Sequence, residues 1–141
     1  SLRNLIIKKL VEDGATITTL IHPTAAVSKH CTIKNGVVVF ANAVINIGCK
    51  IGQGCIINTG ATVDHDCTID ECVHISPGVH IAGGVSIGSN SWLGIGSSVI
   101  QYIKLASNIQ VGAGAVVTSA EEPNKLYVGI PAKPIKNLDK H

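Results

Sequence analysis

Every sixth residue from Ile21 to Val117 is Ile, Val or Leu, seventeen positions without a slip. These three types make up only 43 of the 141 residues, so chance would yield such a run roughly once in a billion trials. A period of six belongs neither to a helix nor to an isolated strand, whose side chains repeat at about 3.6 and 2 residues. It is the beat of a repeat in which each short unit buries one aliphatic side chain and relies on its neighbours to cover it.

Two further phases complete the unit. Two residues before each aliphatic stand mostly small or β-branched residues, among them Cys31, Cys49, Cys55 and Cys67, as suits an inward position with little room. Three residues before it, twelve of sixteen positions are Gly, Asn or Asp, with Thr24, His30, Cys72 and Tyr102 as the exceptions. That composition marks a left-handed backbone turn, where a Cβ is penalised. Strand, turn, strand, turn closes into a three-sided coil of eighteen residues. Residues 21–117 are therefore expected to form an all-β parallel β-helix of about five coils, on the order of 25 Å tall at ~4.8 Å per coil. The period leaves its handedness open.

The flanks read more simply. Residues 2–13 have the spacing of a short amphipathic helix. Residues 118–141 carry a strand, Leu126 to Ile130, and a Pro-containing tail expected to cap the open end of the coil. A net charge of +2 argues against nucleic acid or anionic lipid as the main partner. No apolar run approaches the ~18 residues of a membrane span. Five Cys, an odd number without an export signal, point to the cytoplasm rather than a disulfide scaffold.

The residue just before each aliphatic should face outward, and eighteen-residue spacing sorts these into three faces. The first carries Ala26, Val44, Thr62, His80, Ser98 and Val116; the second carries Thr32, Lys50, Thr68, Ser86 and Lys104; the third carries Val38, Ile56, His74, Trp92 and Gln110. Only the second resembles a solvated surface. Two semi-apolar sides on a rigid rod imply contact of a first face with a third, closing as a threefold homotrimer.

Four of the nine acidic residues crowd into Asp64-His65-Asp66-Cys67-Thr68-Ile69-Asp70-Glu71, and His74 follows. Asp66 stands at a left-handed position, where turn chemistry alone would tolerate it. His65 has no such structural reason, and a turn imidazole flanked by carboxylates has what a general base requires. His65 lies between the first and second faces and His74 projects from the third, so the two could meet only across a subunit contact. Cys67 is an inward residue and Cys72 lacks an activating base, so no covalent nucleophile is expected.

Ile51-Gly52 and Ile87-Gly88 resemble the hexapeptide repeat of left-handed β-helix acyltransferases. The stretch from His22-Pro23 through Asn58-Thr59, Asp64-His65-Asp66, His74-Ile75-Ser76-Pro77-Gly78, Leu93-Gly94-Ile95-Gly96 and Gly129-Ile130-Pro131-Ala132-Lys133 is similar to bacterial nucleotide-sugar acetyltransferases of sugar and sialic-acid pathways. The resemblance implies a left-handed coil, a trimer, residues 1–20 as the remnant of an N-terminal domain with its linker helix, and direct transfer of acetyl from acetyl-CoA to an amino or hydroxyl group of a nucleotide-linked sugar. It implies His65 as catalytic base with Asp66 raising its basicity. His74, Gly83, Ile95 and Ala113 would contact acetyl-CoA, the last three through their backbone, and Asn58 would line the acceptor side. The acid after the histidine is often Glu in this family and position 113 is often Gly; here they are Asp66 and Ala113. No metal is expected. Two other readings remain: a β-helical carbonic anhydrase with three histidine ligands, against which His74 and His80 fall on different faces, and a scaffold without catalysis.

Overall fold

The computed structural model describes residues 1–138. Seventeen two-residue strands, β1 (Leu20–Ile21) to β17 (Val116–Val117), follow one another at six-residue intervals. Each pairs in parallel with the strand eighteen residues away, as in His74↔Ile56 and His74↔Trp92. Three sheets result, and they hold the three outward sets in the order expected from the sequence. The first face is the sheet from Ala26 to Val116, the second that from Thr32 to Lys104, the third that from Leu20 to Gln110.

The turn chemistry explains why the chain bends where it does. Of the sixteen residues in the left-handed phase, all but Thr24 and His30 have positive φ. Asn and Gly adopt this conformation readily; Cys72 (φ 55°) and Tyr102 (φ 58°) adopt it too, their N–H groups donating to the coil below at the Gln53 carbonyl (2.8 Å) and the Gly83 carbonyl (2.9 Å). The repeat thus overrides local preference at those two positions.

Packing follows the period. The inward aliphatics of the middle coils, such as Ile57, Ile75 and Leu93, are fully buried, with the small residues Ala61, Cys67 and Val79 beside them. Val37, Ser91 and Ser97 fill the same inner phase, and the Ser91 hydroxyl donates to the Gly88 carbonyl at 2.7 Å. At the N-terminal end Ile21 remains 47% exposed, because no coil lies beneath it. The other end is closed: Ala120 bridges to Leu105, and β18 (Lys125–Gly129) joins the third sheet beside Gln110. The tail after it is itself a strand, β19 (Ala132–Asn137), antiparallel to β18. The Tyr127 hydroxyl ties the preceding loop to β18, accepting from the Glu122 N–H and donating to the Glu122 carbonyl, each at 3.0 Å.

One helix, α1 (Leu2–Glu12), precedes the coil. Its buried residue is Ile7, and Arg3 Nη2 donates to the Cys72 carbonyl at 2.7 Å. These contacts hold α1 against the corner between the second and third sheets. No helix among the described residues is long and apolar enough to cross a membrane.

Candidate active site

His65 lies in the turn between β8 (Thr62–Val63) and β9 (Thr68–Ile69), on the corner joining the first and second sheets. Asp64 shapes this turn. Its Oδ1 accepts from the His65 N–H at 2.8 Å and from Asn46 Nδ2, one coil below, also at 2.8 Å. Those two donors hold the Asp64 carboxyl below the usual aspartate range, the Asn46 amide contributing most. The left-handed backbone at Asp66 (φ 58°) then brings its side chain round to the ring.

Asp66 Oδ2 lies 2.9 Å from His65 Nδ1. A carboxylate there assigns the Nδ1 hydrogen and leaves Nε2 with its lone pair free. The Asp66 hydrogen bond, followed by the negative charges of Asp64 and Asp66, raises the imidazole above its ordinary value of 6.5. The pair is open to solvent, with the His65 side chain 43% and the Asp66 side chain 71% exposed.

Gly83 stands one coil above and shows why glycine is needed there. A Cβ at that position would lie 2.6 Å from His65 Cε1 and 3.0 Å from Cδ2, with Nε2 also in its way. The imidazole occupies the space a side chain would fill. The Gly83 carbonyl accepts from the Tyr102 N–H at 2.9 Å, whereas its own N–H donates to no acceptor among the described residues. The backbone N–H groups of Ile95 and Ala113 are equally unengaged among the described residues. They sit one above the other on a different corner, between the third and first sheets, where Gly114 N donates to the Ile95 carbonyl at 2.9 Å.

His74 projects from the third sheet in β10 (His74–Ile75). Its ring stacks on Trp92, one coil above, with centroids 5.9 Å apart and planes inclined by 6°. Asn58 Nδ2 lies 3.3 Å from His74 Nε2, so two residues expected on the donor and acceptor sides are direct neighbours. Burial, with a smaller contribution from the nearby Arg3 charge, pushes this imidazole below 6.5. A neutral His74 accepts from the Asn58 amide. A groove of ≈850 Å³ runs along this side, lined by Arg3, His74, Trp92, Gln110 and Lys136 among others.

The residues singled out in the sequence therefore fall into three places on one chain. His65, Asp66 and Gly83 share a corner, His74 stands on the third face, and Asn58, Ile95 and Ala113 share the corner between the third and first sheets, from which the Asn58 amide reaches His74. Trp92 was legible as the residue eighteen after His74 on the same face. Arg3 was not, because only the docking of α1 brings it to His74. No three His, Cys, Asp or Glu residues among those described come together as metal ligands would.

No family model matches the chain. It is similar to the acetyltransferase domain of PglB from Neisseria gonorrhoeae, solved with acetyl coenzyme A, at 41% identity and TM-score 0.88 over 94% of this chain and 67% of that one. It is also similar to a variant of GDP-perosamine N-acetyl transferase from Caulobacter crescentus, solved with CoA and GDP-perosamine, at 38% identity and TM-score 0.94 over 96% of this chain and 65% of that one. Over 50 residues it is 44% identical to a putative acetyltransferase of Schizosaccharomyces pombe, covering 36% of this chain and 24% of the relative. The chain thus spans about a quarter of that curated relative and about two thirds of the solved ones. With likeness across nearly its whole length and the histidine–acid pair in place, the chain belongs to the hexapeptide-repeat β-helix sugar acetyltransferases.

Proposed function

We propose that this chain transfers acetyl from acetyl-CoA to the amino group of a nucleotide-linked sugar, with His65 as general base. The observation that carries the reading is the arrangement at one corner: Asp66 holds His65 Nδ1 at 2.9 Å, and Nε2 faces Gly83, whose N–H is unengaged. A base and an oxyanion donor thereby stand side by side, as acyl transfer requires. The structures of similar proteins with CoA and GDP-perosamine supply the substrate classes.

Neutral His65 takes a proton from the acceptor amine at Nε2 as nitrogen bonds to the thioester carbonyl carbon. The Gly83 N–H donates to the oxygen on which charge builds. The carbon–sulfur bond then breaks, and His65 returns its proton to the departing thiolate. No residue is acylated. Asp66 keeps the ring oriented and stabilises it while it is charged.

The rest of the binding surface is supplied between subunits. His74 and the unengaged N–H groups of Ile95 and Ala113 lie away from the His65 corner, so a cleft containing them all needs a second copy. We place the donor between two subunits of a homotrimer, with Asn58 on the acceptor side and residues 21–117 as the transferase body. Replacing His65 by Ala should lower turnover of acetyl-CoA and amino-sugar nucleotide by roughly 10²–10⁴-fold, the usual worth of a positioned base. Full turnover in that variant sinks the proposal.

A further inference from the structure

Tyr102 is the residue least at home in its turn. Its position has φ 58°, in a phase where twelve of sixteen residues are Gly, Asn or Asp, and a left-handed conformation strains any bulky side chain. The Tyr102 N–H, donating to the Gly83 carbonyl at 2.9 Å, holds the backbone in that turn, but it gives the phenol no task of its own. The side chain is among the most exposed large apolar groups, at 74%, and its hydroxyl makes no hydrogen bond among the described residues. A bulky ring kept exposed at a position that strains it, with its hydroxyl unbonded, points to a role in binding.

Its location is specific. A Cβ on Gly84 would lie 2.7 Å from Tyr102 Cε1 and 3.5 Å from Cγ, so the phenol ring lies over Gly84 as the His65 imidazole lies under Gly83. Consecutive Cα atoms are about 3.8 Å apart, so the two rings flank one bare Gly83-Gly84 step. Beyond Tyr102 opens a groove of ≈490 Å³, lined also by Lys104, Ala106, Thr118, Ser119 and Glu121. Lys104 has no ion-pair partner among the described residues.

We infer that Tyr102 is a binding residue for the acyl donor, its ring face bearing on the uncharged chain that carries the thioester. This rests on His65 as base and the Gly83 N–H as oxyanion donor. If the acceptor approaches from the His65 side and the carbonyl oxygen sits at Gly83, the rest of the thioester lies past Gly83, against Gly84 and Tyr102. An aromatic face suits a chain of methylene groups, and the groove beyond gives that chain a path toward Lys104, a counter-charge for the phosphates of coenzyme A.

Calorimetric titration of the intact chain with acetyl-CoA tests this, alongside Tyr102→Gly and Tyr102→Phe. Glycine fits the left-handed turn, so Tyr102→Gly should keep or raise Tm, while its Kd for acetyl-CoA should rise about tenfold and Tyr102→Phe should bind like the parent. An unchanged Kd in Tyr102→Gly overturns the inference and leaves the His65 reading standing. A weaker Kd accompanied by loss of the oligomer in sedimentation also overturns it, since the ring would then serve the subunit contact. A parent chain that binds no acetyl-CoA overturns the underlying reading as well. Where acceptor is turned over, KM for acetyl-CoA should rise and KM for the sugar nucleotide should not; the reverse would assign the ring to the acceptor and overturn the inference.

Discussion

Asp66 and Gly83 act on the same imidazole from opposite directions, one on its Nδ1 edge and the other beside Nε2. The carboxylate favours the protonated ring, so the His65 value lies above 6.5. A base works only when unprotonated, and the acid limb of kcat/KM should therefore have its midpoint above 6.5. Asp66→Asn removes the charge that favours the cation; it should move that midpoint downward and lower the plateau. A pH–rate profile of the two proteins checks both. Gly83→Ala is a separate probe. The φ of Gly83 is not in the left-handed region, so the backbone accepts alanine, and the clash falls on the imidazole. Activity should fall at least 100-fold, in line with loss of a positioned base, while Tm stays within a few degrees, because an exposed ring can swing away.

Among the elements, each two-residue strand has an inward aliphatic that carries stability and an outward residue free for other uses. Ile75 is fully buried, whereas Ile95, in a turn, is 62% exposed. Ile75→Ala should cost about 2–5 kcal/mol, the range for emptying a packed site, and Ile95→Ala should change stability by no more than about 0.5 kcal/mol. Denaturant unfolding of the two variants checks the contrast. The six-residue period showed these roles directly, because a repeat ties burial to sequence position. It did not show β19, since an antiparallel hairpin at the end of the coil lies outside the repeat and its Pro-containing sequence reads as a tail. Nor did it show that α1 would lie with Arg3 near His74, a placement set by the buried Ile7, the Arg3 hydrogen bond to the Cys72 carbonyl, and the bonds that Ser1 and Asn4 donate to Asn90 Oδ1.

For the whole molecule, the separation of His65 and His74 onto different sides of the prism has a consequence that mutants can read. If each cleft draws His65 from one subunit and His74 from another, His65→Ala and His74→Ala proteins should each be nearly inactive. Mixing them after mild dissociation should regenerate clefts with both histidines intact, and activity should return to a measurable fraction of the parent. No recovery, with exchange verified by sedimentation or mass spectrometry, would argue for a site within one subunit.

What the amino-acid order determined by itself was the coil, its three faces, and the pairing of His65 with an acid in one turn. All of these follow from neighbours at fixed spacing, one to eighteen residues apart, in a chain whose every rung repeats the last. What only the tertiary structure decided was Arg3 by His74, which no repeat spacing connects, and the side-chain directions at positions the spacing does bring together: the His74 ring against Trp92 and Asn58, and two rings meeting at Gly83-Gly84. Those depend on where side chains point and how a helix docks, and a period carries no information about either.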